Sequence, residues 1–469
     1  MFRFSFILSI FFLLPQALRA QPKPSPSQQA WHDMEYYFFF HFGPNTFTGL
    51  EWGHGTEKAD LFNPLELDCR QWCRIAKAAG AKGVIITAKH HDGFCLWPSK
   101  YSTHTVRESQ WRNGKGDVLK ELSQACKEYG LKFGVYISPW DRNHPDYGTE
   151  KYNDVFVNMM KEIFTLYGPV WELWWDGANG EGPNGKMQVY DWPRFRETVK
   201  KLSPQTVIFS DVGPHLRWVG NEAGFAGRTN WNTLDTAGFT PGKGAPSQDT
   251  LRTGNKYGKA WIPAECDVSI RPGWFYHKEE DDKVRSPENL FDLWLKSVGR
   301  GANLLLNIPP DGRGKIHPKD SAALIDFRII RDKNFVVNLA KQAKIRWVSD
   351  GYSRITKKLV DGNAASGLTI SRNGQQYPEF IFSKPVKINC VVLRENLLSG
   401  QYCSGFRVVL KKEGREVRTI SGTTIGRKRI LTFPVTEADA VLIYVDESKG
   451  PVTIGETGFY LINEQLIEK

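Results

Sequence analysis

Short buried strands alternate with crossover helices over the first three-quarters of this chain, and a helix-free stretch of alternating segments follows. That order predicts a (β/α)8-type, TIM-like barrel, with one strand unassigned or degenerate, followed by a C-terminal β-sandwich. Near-continuous hydrophobic strands mark a parallel sheet buried on both faces. About 320 residues with one long loop suit a closed barrel better than an open sheet. The expected boundaries are 1–20 for a signal segment, 21–30 for a tether, 31–345 for the barrel and 346–469 for the sandwich.

The N-terminus has Arg3 ahead of an apolar run, 4–14, then Pro15 and the small residues Ala17 and Ala20. This is the plan of a cleavable secretory signal, and the run is too short for a permanent membrane anchor. The mature chain is expected to begin near Gln21, with a Pro/Ser-rich tether, as an exported periplasmic or secreted protein.

The first strand is 36–42 (Y-Y-F-F-F-H-F), closed by Gly43 and Pro44. A helix over 68–80 carries Asp68 as N-cap, Trp72, Ile75, Ala76 and Ala79 on one face, and Gly80 as its stop. Strand 83–90, a helix over 117–130 ending in Gly130, strand 132–138 and a helix over 153–168 repeat the plan. Strand 170–176 (V-W-E-L-W-W-D) ends at Asp176, and a helix over 192–202 and strand 206–211 follow. Residues 212–259, rich in Gly, Pro, Asn and Thr, read as a long excursion over the barrel mouth. Strands at 260–267 and 303–309, with a helix over 288–298 between them and another over 319–340, close the unit. Beyond 348, alternating segments at 379–383, 386–394, 406–410, 429–433, 440–446 and 453–461 form the sandwich.

Composition narrows the function. Hydrophobic content of 41% and charged content of 24% are those of a globular protein, and sixteen Trp are many. The net charge of +11 is spread without a basic block, so no nucleic-acid partner is expected. Seven Cys, an odd number with no C-x-x-C, argue against a disulfide framework, although Cys390 and Cys403 can pair across a hairpin. Cys69 and Cys73 read as a packing pair on one helix.

On a barrel, side chains at the strand C-termini converge on one pocket. Here they are His41, then His90, His91 and Asp92, then 136–141, Asp176, Asp211, Glu265 with Asp267, and Asn307. With Trp97, Trp140, Trp174 and Trp274 close in sequence, they describe a site for a polyhydroxylated ring. Aromatic faces stack on the C–H face of a sugar, and a carboxylate can attack its anomeric carbon. No spaced His/carboxylate metal signature, G-x-S-x-G elbow or Walker motif occurs, so no metal or cofactor is expected. The G-E-G-P-N-G run at 180–185 matches G-x-G-x-x-G, but the next helix starts only near Trp192, so no helix N-terminus meets the glycines.

The motifs H-F-G (41–43), E-W (51–52), K-H-H-D-G-F (89–94), Y-I-S-P-W (136–140), W-W-D-G (174–177), G-W-F-Y-H (273–277) and N-L-L-L-N (303–307) occur in this order. Together they resemble the retaining α-L-fucosidases of glycoside hydrolase family 29, over about 31–312. The resemblance implies that Asp176 is the nucleophile of a covalent fucosyl-enzyme. It implies that His41, Glu51, Trp52, His90, His91, Tyr136, Trp174 and Trp274 hold the sugar. In the subgroup favouring α-1,3/1,4 linkages, the acid/base lies on the loop after strand five in a G-N-E context, which Gly220, Asn221 and Glu222 match. Glu265 is the alternative acid/base; its structural role would be an anchor bonded to the pocket wall. The expected partner is a fucosylated oligosaccharide or glycoconjugate, and oligomeric state is left open. The competing readings are a catalytically inactive carbohydrate-binding protein on the same barrel and a hydrolase of a related sugar ring.

Overall fold

Alternation along each strand sorts the chain into a barrel interior and an outer helix-facing layer. In the computed structural model, which describes residues 21–349, 351–363, 365–370 and 376–467, eight parallel strands close a barrel in sequential order. The expected signal segment, 1–20, lies outside the described residues. The strands are β1 Tyr36–Phe40, β2 Gly83–Lys89, β3 Lys132–Ile137, β4 Glu172–Trp174, β5 Val207–Ser210, β6 Leu216–Trp218, β7 Ala264–Ser269 and β8 Asn303–Asn307. In β1, Tyr36, Phe38 and Phe40 pack outward with Trp72 of a flanking helix. Tyr37 and Phe39 point inward with Tyr136, Trp174 and Phe209.

The helices form where their caps require. Helix α2, Cys69–Ala78, starts at Asp68, whose carboxylate accepts from Gln71 N, and Gly80 follows it with φ of 80°. Helix α3, Val118–Tyr129, is capped by Asp117 and stopped by Gly130 in the left-handed conformation. Cys73 of α2 meets Cys126 of α3, with 3.8 Å between the sulfurs.

Several expectations need correction. Ser25 makes a capping box with Gln28 and opens helix α1, Pro26–His32, so the second half of the expected tether is helical. Trp31 and Gln28 are buried, and Gln28 Nε2 donates to the carbonyls of His215 and Trp261. The missing strand is β6, inside the segment read as an excursion; only 3 residues long, it offers no period to read. Of the expected 260–267 strand only the part from Ala264 joins the barrel, within Ala264–Ser269, and Ala260–Trp261 instead pairs antiparallel with Thr233–Leu234. The last barrel helix, Pro318–Asn334, stops short of 340, where Phe335 turns inward against Tyr460.

The C-terminal module is an antiparallel sheet folded over one core as a sandwich. Two 20-residue strands dominate it, Gln376–Glu395 and Arg429–Ser448. Each covers two segments that the sequence separates. Register shifts between Ile381 and Val386 and between Ile388 and Cys390 bracket Pro385 in one strand and Pro434 in the other. Proline cannot donate to the ladder and is tolerated at a bulge, so it broke the pattern without ending the strand. Strand Arg415–Gly422 and the first three, Lys344–Ser349, Tyr352–Thr356 and Leu368–Ile370, were not foreseen. The Cys390–Cys403 pairing is absent: both are buried free thiols, opposite Thr432 and Ser448 respectively.

One buried ion pair ties β2 to the loop after β3. Lys89 Nζ lies 3.3 Å from Asp141 Oδ2, with side chains 0% and 1% exposed, and donates to Trp140 O at 3.1 Å. Burial raises the Asp141 carboxyl, but the Lys89 ammonium and the His144 and Asn143 N–H groups outweigh it and hold it below its ordinary value. Lys89→Met leaves that carboxylate without its buried counter-ion and is expected to cost about 3 kcal/mol, read by urea unfolding at pH 7. An unchanged midpoint would show that the remaining hydrogen bonds suffice.

Candidate active site

The strand C-termini open into a pocket of about 320 Å³. His41, Glu51, Trp52, His90, His91, Tyr136, Trp174, Asp176, Glu222 and Trp274 all line it, with Phe39, Phe209, Asp211, Trp218 and Asp267. Glu265 does not; it is 0% exposed, inside the barrel beneath the pocket.

Strand β4 shows how the side chains are sorted. Glu172, Trp174 and Asp176 lie on one parity and rise as successive steps toward the mouth. Trp175, on the other parity, packs outward against Trp192 and Phe195. Asp176, 24% exposed, accepts from Ala178 N through Oδ1 at 2.7 Å and from the Tyr136 hydroxyl through Oδ2 at 3.0 Å. Gly177 is required here, because a Cβ would collide with the Asp211 carboxylate.

The histidines are neutral rings with assigned roles. Asn307 Nδ2 donates to Ser269 Oγ and to Trp274 O, so its Oδ1 accepts from His41 N and, at 2.9 Å, from His41 Nδ1. That leaves His41 Nε2 as an acceptor. Ser138 Oγ donates to Trp140 O and accepts from His91 Nδ1 at 2.7 Å, which leaves His91 Nε2 bare, 3.9 Å from Asp176 Oδ2. Burial lowers His41 to about 3 and His91 to about 4, so the His91–Asp176 contact is no ion pair near neutrality. His90 is lowered by burial and by its histidine neighbours, and its Nδ1 is buried without a partner among the described residues.

Other expected residues take more specific positions. Glu51 clamps the loop after β7: Oε2 accepts from Trp274 N at 2.9 Å, and Oε1 accepts from His277 Nε2 at 2.6 Å. Trp52 is 53% exposed at the mouth, edge-on to His91 and Trp140. Glu222 follows the sixth barrel strand rather than the fifth, is exposed, and accepts from Trp274 Nε1 at 3.2 Å. Glu265 Oε1 accepts from Trp174 Nε1 at 2.8 Å, and its Oε2 accepts from the Tyr37 hydroxyl.

Two more carboxyls shape the electrostatics. Burial and the Asp176 charge raise Asp211 to about 6. Burial and Glu222 raise Asp267 well above its ordinary value, and it accepts from Trp218 Nε1 at 3.0 Å. Both stood at strand ends in the sequence without an assigned role. Trp218 and Phe209 gave no signal as pocket walls, the first because its strand was unreadable, the second because it resembles any core residue. The site combines an ordered carboxylate, a second carboxylate on the rim, neutral imidazoles and stacked aromatic walls, with Trp174 on Phe209 at 4.0 Å and 10°.

Comparison with known proteins agrees with this geometry. The family described as Alpha-L-fucosidase matches residues 23–327. Alpha-L-fucosidase 1 of Arabidopsis thaliana is 40% identical, covering 96% of this chain and 89% of its own. A glycoside hydrolase 29 family member from an unknown rumen bacterium superposes with TM-score 0.84 at 39% identity, covering 95% of this chain and 78% of that one. A Ruminococcus gnavus GH29 fucosidase solved in complex with fucose gives TM-score 0.86 at 29% identity, over 96% and 97% of the two chains. The matched family region spans the barrel and its pocket, and the chain belongs to the α-L-fucosidases of glycoside hydrolase family 29 and is a glycoside hydrolase.

Proposed function

We propose that the protein is an exported, retaining exo-α-L-fucosidase that releases terminal α-1,3/1,4-linked fucose from oligosaccharides or glycoconjugates. The observation that carries the reading is Asp176, ordered by two hydrogen bonds at the floor of a pocket whose rim bears Glu222. Helix α1 and the barrel form the catalytic unit, the sandwich from Lys344 onward forms the accessory module, and 1–20 is removed on export. Edman sequencing of the exported protein is expected to start at Gln21; a start at Met1 would remove the signal from the proposal.

In the first step an oxygen of Asp176 attacks the anomeric carbon, and the glycosidic C–O bond breaks as Glu222 gives its proton to the departing oxygen. Glu222 then takes a proton from water, which attacks the fucosyl-enzyme, frees Asp176 and returns the original anomeric configuration. The Tyr136 O–H and Ala178 N–H stabilise the Asp176 anion when fucose leaves it. His41 Nε2 and the His90 ring, both on the pocket lining, supply hydrogen bonds to ring hydroxyls. Tyr136 and Trp174, stacked 5.3 Å apart, form the wall for the apolar C5 methyl end. Access favours Glu222 over Glu265 as acid/base, since Glu265 is enclosed behind the Trp174 indole.

The assay is hydrolysis of a branched α-1,3/1,4-fucosylated trisaccharide and of an activated aryl α-L-fucoside. Asp176→Ala is expected to lose both, and azide should then yield inverted β-L-fucosyl azide from the aryl substrate. Glu222→Ala is expected to lose about 10²–10⁴-fold on the trisaccharide, with azide restoring turnover of the aryl fucoside alone. A near-normal Glu222→Ala beside a Glu265→Ala that behaves in this way would move the acid/base role to Glu265. A wild type that cleaves neither fucoside would favour the binding-protein reading.

Neutral imidazoles also predict a pH dependence of stability. The folded-state pKa values of His41 and His91, about 3 and about 4, lie below the ordinary 6.5. The folded protein therefore binds fewer protons than the unfolded chain below pH 6.5. Stability is complete above that pH and is lost as pH falls toward 4, by about 1.4 kcal/mol per unit for each ring. Urea unfolding at pH 7, 6 and 5 checks the slope, and a slope in His41→Asn that falls by one ring's contribution identifies that ring's share.

A further inference from the structure

The nucleophile and the rim carboxylate are held by different parts of the molecule. Asp176 is fixed within the barrel by Tyr136 and the backbone of its own loop. Glu222 stands on a loop folded on itself, where Asn221 Oδ1 accepts from Ala223 N at 3.1 Å and Asn221 Nδ2 donates to Phe225 O at 3.0 Å. Gly220, with φ of 83°, lets that loop lie against a short helix, because a Cβ would stand 2.7 Å from Gln248 O.

The root of the loop is β6, and its central residue is Arg217, buried at 0% exposure. The guanidinium donates to Leu251 O at 2.7 Å, to Ile262 O, to Asn230 Oδ1 at 3.1 Å and to Trp231 O at 3.0 Å. Each partner is a neutral oxygen, and two belong to residues 230–231, so the placement of β6 depends on that short segment. The segment is held in turn by the C-terminal module. Gln401, 1% exposed, accepts from Asn232 N at 2.8 Å and Asn232 Nδ2 at 3.0 Å through Oε1, and donates to Asn230 O at 3.0 Å through Nε2. Thr424 Oγ1 accepts from Asn230 N at 3.0 Å.

We infer that Gln401 and Thr424 of the C-terminal module are positioning residues for the acid/base, acting through residues 230–232 and Arg217 on the strand and loop that carry Glu222. The inference rests on Glu222 being that group. A general acid acts only within hydrogen-bond reach of the leaving oxygen, so a small displacement of its loop weakens protonation and leaves attack by Asp176 intact. Gln401 is too enclosed to touch an acceptor sugar, so its effect passes through the protein.

The test measures kcat/KM of the full chain on two fucosides of similar size, phenyl α-L-fucoside and dinitrophenyl α-L-fucoside. The first leaving group needs a proton and the second does not. Gln401→Leu is expected to lower kcat/KM on the phenyl substrate about 10- to 100-fold while staying within about twofold of wild type on the dinitrophenyl one. Thr424→Val is expected to show the same split and serves as the second variant if Gln401→Leu does not fold. Equal losses on both substrates would mark a merely structural contact, and no loss on either would mark an idle one; each overturns the inference. Glu222→Ala, run alongside, must show the split at larger scale. If it does not, the acid/base assignment fails first, a result distinguishable from a correct Glu222 beside unsplit module variants.

Discussion

A pair of buried carboxyls inside the barrel underlies the pocket floor. Glu172 and Glu265 are both fully buried on neighbouring inward positions of the barrel interior. Two carboxylates are not both readily charged there, and burial together with Glu265 raises Glu172 well above its ordinary value. Trp31 Nε1 donates to Glu172 Oε2 at 3.1 Å, the Tyr37 hydroxyl donates to Glu265 Oε2, and Trp174 Nε1 donates to Glu265 Oε1 at 2.8 Å. Trp174 is thereby pinned from below, Tyr136 stacks on it at 5.3 Å, and the Tyr136 hydroxyl reaches Asp176. The orientation of the Asp176 carboxylate thus descends through two aromatic rings to the buried Glu265, with few degrees of freedom left to fix.

That arrangement explains why Glu265 was difficult to assign from sequence. Its parity and its position on a barrel strand are those of a site residue, and only depth separates it from Asp267, which sits two residues later and lines the pocket. Linear sequence carries parity plainly but depth poorly, because depth depends on the register of neighbouring strands. Asp176 was legible for the opposite reason: a hydrophobic strand ended on it and a glycine followed. Most of the barrel was readable on the same grounds, from buried runs and from the Asp68, Asp117 and Gly130 caps that bound its helices.

What escaped the sequence was set by tertiary contact. Strand β6 has three residues and a buried arginine at its centre, so neither period nor composition marks it. Its position follows from partners on both sides, Phe209 to Leu216 and Trp218 to Glu265 in register. The capping box at Ser25 was visible in principle, but three prolines within five residues concealed it. In the sandwich, Pro385 and Pro434 divided strands that the fold carries through as bulges. Each failure is a local breaker overruled by burial elsewhere.

The division of labour around the pocket follows from what each catalytic group must meet. On the proposed mechanism Asp176 meets the same atom of the same sugar at every turnover, and rigidity from the barrel interior suits it. Glu222, as the proposed acid, meets whatever alcohol departs, on the side where acceptors of varied shape must enter, so it cannot be walled in. An exposed carboxylate on a loop satisfies access but sacrifices order, since rim side chains keep their rotamer freedom. The Trp274 indole restores some order to Glu222 from the front, and Glu51 fixes the backbone of that tryptophan. Order at the root of the loop must come from behind the mouth, where acceptors do not pass. Gln401 and Thr424 reach the 230–232 segment from that protected side, which gives a module remote from the sugar a direct mechanical interest in the chemistry.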